Sequence, residues 1–393
     1  MRAALWAWLT GLSVLVLSCG RDGDAFIRGK VQWVFALNDS TAVEMTGRIT
    51  RDSLIWHNGG EEVVAVRSGD TTWTLHPFDG LVSGTWEGGH FRGRWTDRQR
   101  GDYHVALTGT ACADCTPSPW PDTAPSSAWD FYLPSSDTVA MGTLMLHDDG
   151  GLWAGTIATP TGDLRFLTGQ RTGDAAELHT FDGAHLYHLA GRTEGSAWTG
   201  TFHSGTHYAA PFRAQRLSEV PTLSASEAEL RPNEPFSMAI YNQALEQEIW
   251  DLDDLPKEVT VIDIMGTWCP NCLDEMRTLL QLHREYPDVG FVTVAFERNA
   301  TADPVAAHTR LLRYVEALDI PWSVALGGDA DKAMAQAAFP FLERVASFPT
   351  TLFVHRDGRI RTHSGFNGPA TGEAYGEELD TFRAHLDALL DRP

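Results

Sequence analysis

The feature that most constrains this chain is a pair of cysteines, three residues apart, between an apolar run and a helical repeat. Residues 261–275 read VIDIMGTWCPNCLDE. The run before Gly266 is short, apolar and rich in β-branched residues, which is typical of a fully buried strand. After Cys272, leucine and methionine residues recur at helical spacing. The sequence therefore predicts a buried strand that leads into a helix at the two cysteines.

This placement predicts a reactive cysteine. Cys269 lies at the expected helix N-terminus and Pro270 at the first helical position, which proline tolerates well. The free amide groups and the positive end of the helix dipole favour a thiolate there, so we expect a lowered pKa and a nucleophilic Cys269. Cys272 lies one turn further along and can close a ring with Cys269. The pair has the design of a dithiol–disulfide exchange site.

Two other interpretations of a Cys-x-x-Cys pair are half of a zinc site and a structural disulfide. A zinc site normally needs a second ligand pair at a suitable spacing. No such pair follows in the C-terminal half of the chain. Redox chemistry is therefore preferred, and we predict no metal site and no cofactor.

The stretch from about Asn233 to the C-terminus resembles the thioredoxin-like superfamily. Within it, the stretch is similar to the TlpA and ResA type thiol-disulfide oxidoreductases found outside the bacterial cytoplasm. The matching residues are the WCPNC sequence at 268–272, Asp263 six residues before the first cysteine, and SFPT at 347–350. The resemblance implies an α/β thioredoxin-like fold. The residues themselves predict strands at 289–296, 322–326, 350–354 and 359–363 and helices at 303–318, 329–338 and 372–390, an order that matches such a fold.

The resemblance also implies roles at the site. Cys269 would attack and Cys272 would resolve, while Pro349 would be a cis-proline that faces the disulfide and exposes backbone for a substrate strand. Asp263 would be the buried acid beneath the pair, and Glu275 matches an acid of the ResA group. The other interpretation of Asp263 is a polar residue at a strand end, and that of Glu275 is a solvated residue on a helix face.

Trp268 is expected to shield one side of the site, with a packing role as the other interpretation. The predicted reaction is exchange with protein or peptide disulfides, and the resemblance favours a reductase recharged by a membrane-linked electron donor. One alternative is a thiol peroxidase of the same fold, although WCxxC favours dithiol exchange. Another is a surface binding lipoprotein whose β region captures a ligand.

The N-terminus predicts export and anchoring. Arg2 is followed by an apolar run at 3–17 that is short for a bilayer span and suits a signal peptide. The run ends in VLSC at 16–19, which resembles a bacterial lipobox and implies lipidation of Cys19. An ordinary signal peptide is the alternative. We therefore expect a lipid-anchored protein of the cell envelope that faces the periplasm, where disulfides persist.

Length and charge set broader limits. At 393 residues the chain is expected to hold two or three domains. Its formal charge of −22 argues against binding nucleic acid or anionic membrane surfaces through a basic patch.

Residues 25–217 predict an all-β region. Short alternating stretches are separated by Gly, Asp and Asn turns, which favours an antiparallel sandwich or barrel. LHPFDG at 75–80 recurs as LHTFDG at 178–183, so two related β halves are expected, as two small barrels or one closed sheet. The predicted segments are a signal peptide (1–18), a tether (19–24), β repeat 1 (25–115), a linker (116–128), β repeat 2 (129–217), a second linker (218–235) and the thioredoxin-like domain (236–393).

The remaining cysteines lie between the β halves. Cys112 and Cys115 precede a segment rich in Pro and Ser, and no apolar helix follows them. We predict a structural disulfide there, with a redox relay or a metal site as alternatives. Five histidines of the second half could also approach a metal, but a scattered β-surface arrangement is preferred. They are His179, His185, His188, His203 and His207.

Overall fold

The computed structural model describes residues 29–134, 139–223 and 226–391. The predicted signal peptide, Cys19 and the tether therefore lie outside the described residues, and the lipid anchor remains a prediction. Across the described ranges, no helix combines the length and apolar character needed to cross a bilayer.

The first sheet is a closed barrel of eight strands. Each strand pairs antiparallel with the next, and the first also pairs with the eighth, which closes the ring. The strands alternate between buried and exposed residues, as a barrel with one internal face requires. They are β1 (Gly29–Ala36), β2 (Ala42–Ile49), β3 (Ser53–Asn58), β4 (Glu61–Arg67), β5 (Thr72–Leu75), β6 (Gly80–Glu87), β7 (His90–Asp97) and β8 (His104–Ala111).

The second sheet has nine strands and forms a similar ring. They are β9 (Ser127–Tyr132), β10 (Gly142–Asp149), β11 (Leu152–Thr159), β12 (Gly162–Asp163), β13 (Leu167–Thr172), β14 (Ala175–Phe181), β15 (Leu186–Glu194), β16 (Ala197–Ser204) and β17 (Tyr208–Arg216). Strand β10 pairs with both β9 and β11, so eight strands close on one another while the short β12 adds to β11. The all-β prediction is confirmed. Of the two arrangements left open, two small barrels or one closed sheet, the structure has two barrels.

The barrels are packed with aromatic side chains. Trp33, Trp56, Trp73 and Trp95 are almost fully buried in the first, and Trp198 is fully buried in the second. Trp33 and Trp56 lie 5.2 Å apart between ring centroids, within the range of favourable aromatic contact. These five tryptophans are thus core residues, and side chains fill the space that a ligand-binding barrel would leave open.

The third sheet has seven strands in the order β19-β18-β22-β21-β20-β23-β24. They are β18 (Met238–Tyr241), β19 (Gln247–Trp250), β20 (Val259–Met265), β21 (Gly290–Glu297), β22 (Ser323–Asp329), β23 (Thr350–His355) and β24 (Ile360–Ser364). The helices are α1 (Pro270–Glu285), α2 (Pro304–Leu318), α3 (Lys332–Ala338) and α4 (Glu373–Leu389). Each predicted strand and helix of this part is present, with ends shifted by three residues or fewer. The hairpin of β18 and β19 was not predicted.

A buried arginine ties the three sheets together. Arg165, between β12 and β13, is 4% exposed. Its guanidinium binds Glu61 on β4 and Asp274 on α1, so it contacts the first barrel and the third sheet's helix at once. Nearby, Asp163 accepts hydrogen bonds from the amides of Arg165 (2.9 Å) and Gly368 (2.6 Å). This cluster holds the barrels in a defined position against the start of α1.

Replacing this arginine is expected to destabilise the protein strongly. In Arg165→Met, half-buried Glu61 loses its counter-ion and buried Asp274 keeps only the exposed Arg277. Breaking such a buried pair typically costs about 3–5 kcal/mol of unfolding free energy. Urea unfolding measures the change. The control is Arg192→Met, because Arg192 pairs with Asp174 at an exposed position and should change stability by less than about 0.5 kcal/mol. Equal effects of the two substitutions would contradict the role assigned to Arg165.

Candidate functional site

The two cysteines lie at the junction between β20 and α1. Strand β20 is buried along its whole length, pairing parallel with β21 and antiparallel with β23. Cys269 is the N-cap residue of α1, Pro270 opens the helix, and the amide of Cys272 donates to the sulfur of Cys269 at 3.2 Å. The cysteines are joined as a disulfide. The predicted strand-to-helix junction is confirmed, and an amide already points at the sulfur that would carry the thiolate charge.

A second loop faces the disulfide. The Phe348–Pro349 peptide bond, just before β23, is cis. The Phe348 carbonyl oxygen lies 3.5 Å from the Cys269 sulfur. The structure thus brings Pro349 beside the cysteines, 80 positions further along the chain than Cys269 (349 − 269).

Trp268 covers one side of the site. Its indole N–H donates to the Phe296 carbonyl at 2.9 Å, and its ring meets Phe348 edge-on with centroids 5.7 Å apart. Gly266 permits this arrangement, since a Cβ atom there would lie 2.8 Å from the Phe296 carbonyl oxygen and would overlap the indole nitrogen. Trp268 therefore packs against Phe348 beside the cysteines, and its position depends on the lack of a side chain two residues earlier. Its shielding role remains a prediction.

Asp263 and Glu275 lie together in the core behind the cysteines. Asp263, on β20, is 1% exposed and accepts a hydrogen bond from Thr293 at 3.2 Å. Glu275, on α1 one turn after Cys272, is fully buried and accepts from Thr351 at 2.5 Å. One oxygen of each carboxyl group, Oδ1 of Asp263 and Oε2 of Glu275, is buried without a hydrogen-bond partner among the described residues. The two carboxyl groups interact electrostatically, and because Glu275 is fully buried it is not the solvated residue of the alternative interpretation.

The environment keeps protons on this acid pair. Burial raises the pKa of Asp263, while its interactions with Glu275 and Thr293 oppose the rise. Burial also raises the pKa of Glu275, and the charge of Asp263 adds to the increase. Two buried carboxyl groups whose charges repel cannot both ionise cheaply, so we expect the pair to hold a proton near neutral pH.

Two residues at the end of β21 were missed by the sequence analysis. Glu297 is buried and accepts from the Thr267 amide (2.8 Å) and hydroxyl (2.7 Å), which fixes the loop before Cys269. The guanidinium of Arg298 lies 5.1 Å above the Trp268 ring. The sequence did hold a signal for these two residues. Glu297 and Arg298 stand at the carboxyl end of a buried strand that pairs parallel with β20, and the carboxyl ends of adjacent parallel strands meet at one edge of a sheet.

Cys112 and Cys115 are joined as a disulfide in the segment that follows β8. Both are half-buried, and the amide of Cys112 donates to the Lys30 carbonyl at 3.1 Å at the start of β1. The bond thus lies beside the closing seam of the first barrel.

Removing this second disulfide should affect stability rather than turnover. Cys112→Ser with Cys115→Ser is expected to lower the unfolding free energy by about 1–2 kcal/mol, the range for a very short closed loop. Thermal unfolding and disulfide exchange assays on the same preparation measure the two properties. Slower exchange at unchanged stability would support a redox relay instead.

The histidines of the second barrel do not form a ligand set. His188 and His203 are cross-strand neighbours with ring centroids 5.9 Å apart. No group of three or more potential metal ligands lies close enough together within the part of the chain that the structure describes.

Comparison with known proteins gives structural neighbours only. No protein-family profile matches the chain, and neither does any curated protein. A thioredoxin-like protein from Aeropyrum pernix is similar over 38% of this chain and 89% of its own, with 14% identity and a TM-score of 0.27. The exposed lipoprotein thioredoxin Etrx1 of Streptococcus pneumoniae matches over 37% of this chain and 98% of its own (18% identity, TM-score 0.26). DsbF of MTB matches over 39% and 95% (19% identity, TM-score 0.28).

Proposed function

We propose that this protein is a thiol-disulfide oxidoreductase that works through Cys269 and Cys272 on a thioredoxin-like C-terminal domain. The observation that carries the proposal is the position of Cys269 at the N-cap of α1, with the Cys272 amide donating to its sulfur. A helix N-terminus stabilises a thiolate, and the neighbouring thiol can displace whatever binds to it.

The proposed reaction is a two-electron exchange. In the reduced protein the Cys269 thiolate attacks one sulfur of a substrate disulfide, forming a mixed disulfide and releasing a substrate thiolate that takes up a proton. The Cys272 thiol loses its proton and attacks the Cys269 sulfur, which breaks the mixed disulfide and releases the second substrate thiol. The Cys269–Cys272 disulfide forms, so the protein is oxidised and the substrate reduced.

The acid pair is placed to manage the proton of Cys272. Glu275 follows Cys272 by one helical turn, and Asp263 lies on the strand that leads to the cysteines. A buried pair that holds one proton can accept a second as Cys272 ionises and return it when the disulfide is reduced. Asp263 and Glu275 thus act on Cys272, while Pro349 and Trp268 form the surface on which a substrate strand docks.

The proposal also covers the direction of the reaction and the cellular location of the protein. We place the protein in the cell envelope, anchored through lipidated Cys19 and facing the periplasm, as a reductase of protein or peptide disulfides. The lipobox-like VLSC supports the anchor, and the two disulfides in the described residues suit an oxidising compartment. In such a compartment a reductase needs a continuous supply of electrons, which a membrane-linked donor would provide.

Reduction of insulin disulfides tests this function. The full chain, with dithiothreitol as electron donor, is expected to precipitate insulin B chain faster than dithiothreitol alone. The Cys272→Ser variant should instead accumulate mixed disulfides that separate on a non-reducing gel. Consumption of hydrogen peroxide without insulin reduction would show a thiol peroxidase and overturn the proposal.

A further inference from the structure

The surface on which a substrate disulfide would dock is covered by the chain's own β region. Cys269 is only 6% exposed and Phe348 only 9%. Pro270 and Pro349, which flank the sulfur on either side, are buried as well. Attack on a disulfide requires the substrate sulfur to touch the Cys269 sulfur, so these residues must become accessible for exchange.

Both copies of the repeated hexapeptide contribute to the cover on the Trp268 side. Phe78, from the first copy, is 7% exposed and belongs to the same buried cluster as the two cysteines. Gly183, at the end of the second copy, lies against Phe78, since a Cβ atom there would be 3.3 Å from its ring. A cavity of about 10 Å³ remains between these residues, Trp268 and Arg298. It has room for a single water molecule at most, not for a substrate.

The second barrel also contacts the segment that holds the dithiol. Gly162 contacts the side chain of Asn271, the residue between Pro270 and Cys272, so closely that a Cβ atom at this position would overlap it. Gly365, one residue after β24, also lies close to the second barrel, since a Cβ atom at this position would be 2.9 Å from the Pro160 carbonyl oxygen. Residues of the first barrel, Gly183 and residues 160–162 therefore all lie next to the segments that hold the dithiol.

Ion pairs hold the first barrel over the site. Asp97, at the end of β7, binds Arg298 at 3.1 Å, and the same guanidinium lies over the Trp268 ring. Asp79, next to Phe78, binds Arg313 on α2 at 3.2 Å. Both arginines lie on the third sheet and its helices, so each pair crosses the interface. The two arginines are partly exposed although Asp97 is buried, so these contacts can break without unfolding either partner.

We propose that the two barrels form a gate over the dithiol, and that Cys269 reaches a substrate disulfide only after this interface opens. The moving part of the gate is residues 76–80 of the first barrel, closed by the Asp97–Arg298 and Asp79–Arg313 pairs. Residues 160–162 and 183–184 belong to the second barrel, which the Arg165–Asp274 pair holds in place. The gate proposal rests on the exchange function proposed above and adds control of access to Cys269. In the closed state the dithiol is protected from other thiols of the compartment, and a substrate gains entry by binding to the open state.

The rate of cysteine alkylation tests the gate. The reduced full chain is treated with iodoacetamide, and mass spectrometry of the Cys269 peptide follows its modification separately from the other cysteines. The double substitution Asp79→Asn with Asp97→Asn is expected to accelerate the modification about tenfold, because each pair contributes a few-fold to the closed state. Asparagine at 97 can still accept from the Gln99 amide, which keeps the local turn.

The control is Asp174→Asn, which removes one carboxylate from an exposed pair within the second barrel and should leave the rate unchanged. A second measurement needs no substitution. Raising the salt concentration from 0.05 to 0.5 M screens the crossing ion pairs and should accelerate alkylation of the native chain, while iodoacetamide itself is uncharged. Rates within twofold of the native value in both experiments would overturn the gate.

The experiments can reject the gate and the exchange function independently of each other. Alkylation reports access to Cys269 and requires no turnover. If insulin reduction is absent but the double substitution still accelerates alkylation, the gate stands and the proposed function is lost. If insulin is reduced at a rate that neither salt nor the double substitution changes, and alkylation is equally insensitive, the function stands and the gate is lost.

Discussion

Cys269→Ser is expected to reduce insulin-disulfide reduction by about a thousandfold or more, to the rate of dithiothreitol alone, because a serine hydroxyl does not ionise near neutral pH and cannot displace a sulfur. The substitution changes one atom at the N-cap of α1, and serine is itself a favourable N-cap. The fold should therefore be kept, which circular dichroism and thermal unfolding check. Full activity in this variant would exclude Cys269 as the nucleophile.

Cys272→Ser is the matched control for this result. It should also lose turnover, but through a different step, since Cys269 can still attack and the mixed disulfide then persists. A trapped complex in Cys272→Ser and none in Cys269→Ser would assign the two roles. The reverse pattern would exchange them.

Asp263→Asn is expected to stabilise the protein at pH 8 while slowing exchange. Burial raises the folded-state pKa of Asp263 from 3.8 to about 7, so the folded protein holds a proton that the unfolded chain has lost. Stability therefore falls as pH rises between these two values, and the full cost is present above the higher one. An asparagine carries no such cost and should add about 2 kcal/mol of unfolding free energy at pH 8 and little at pH 4.

The same substitution should slow the exchange reaction, because the proton of Cys272 loses its acceptor. We expect a decrease of about 10- to 100-fold at pH 7, the usual contribution of a positioned acid or base. Glu275→Gln should behave alike, since one neutral member disables the pair. Asp274→Asn, beside it on α1, is unsuitable as a control because it binds Arg165; Glu285→Gln, at the exposed end of α1, serves instead. A gain in stability without a change in rate would make the pair purely structural.

Some features were readable from the sequence because they depend on neighbouring residues. The strand-to-helix junction at Cys269 follows from a run of apolar residues, a proline at the first helical position and a helical repeat after Cys272. The alternating β stretches and the repeated hexapeptide likewise predicted a doubled, all-β region. These features depend on the local spacing of apolar and polar residues, which can be read from the sequence before the fold is known.

Other features depend on contacts between distant residues and could not be read in advance. The two hexapeptide copies carry no signal of their tertiary contacts. The first places Phe78 in the buried cluster that also holds the cysteines, and the second places Gly183 against Phe78. Arg165 is one arginine among many in the sequence. Only the fold shows that it is buried and joins Glu61 to Asp274 across more than 100 residues in each direction.

The sequence by itself carries the dithiol chemistry that we propose, because two cysteines, a proline and the start of a helix lie within a few residues of one another. The tertiary structure alone decided whether that chemistry is accessible. Access depends on which surfaces pack together, and the packing of two barrels over the dithiol is set by charges and loops hundreds of residues apart, for which no periodic pattern exists.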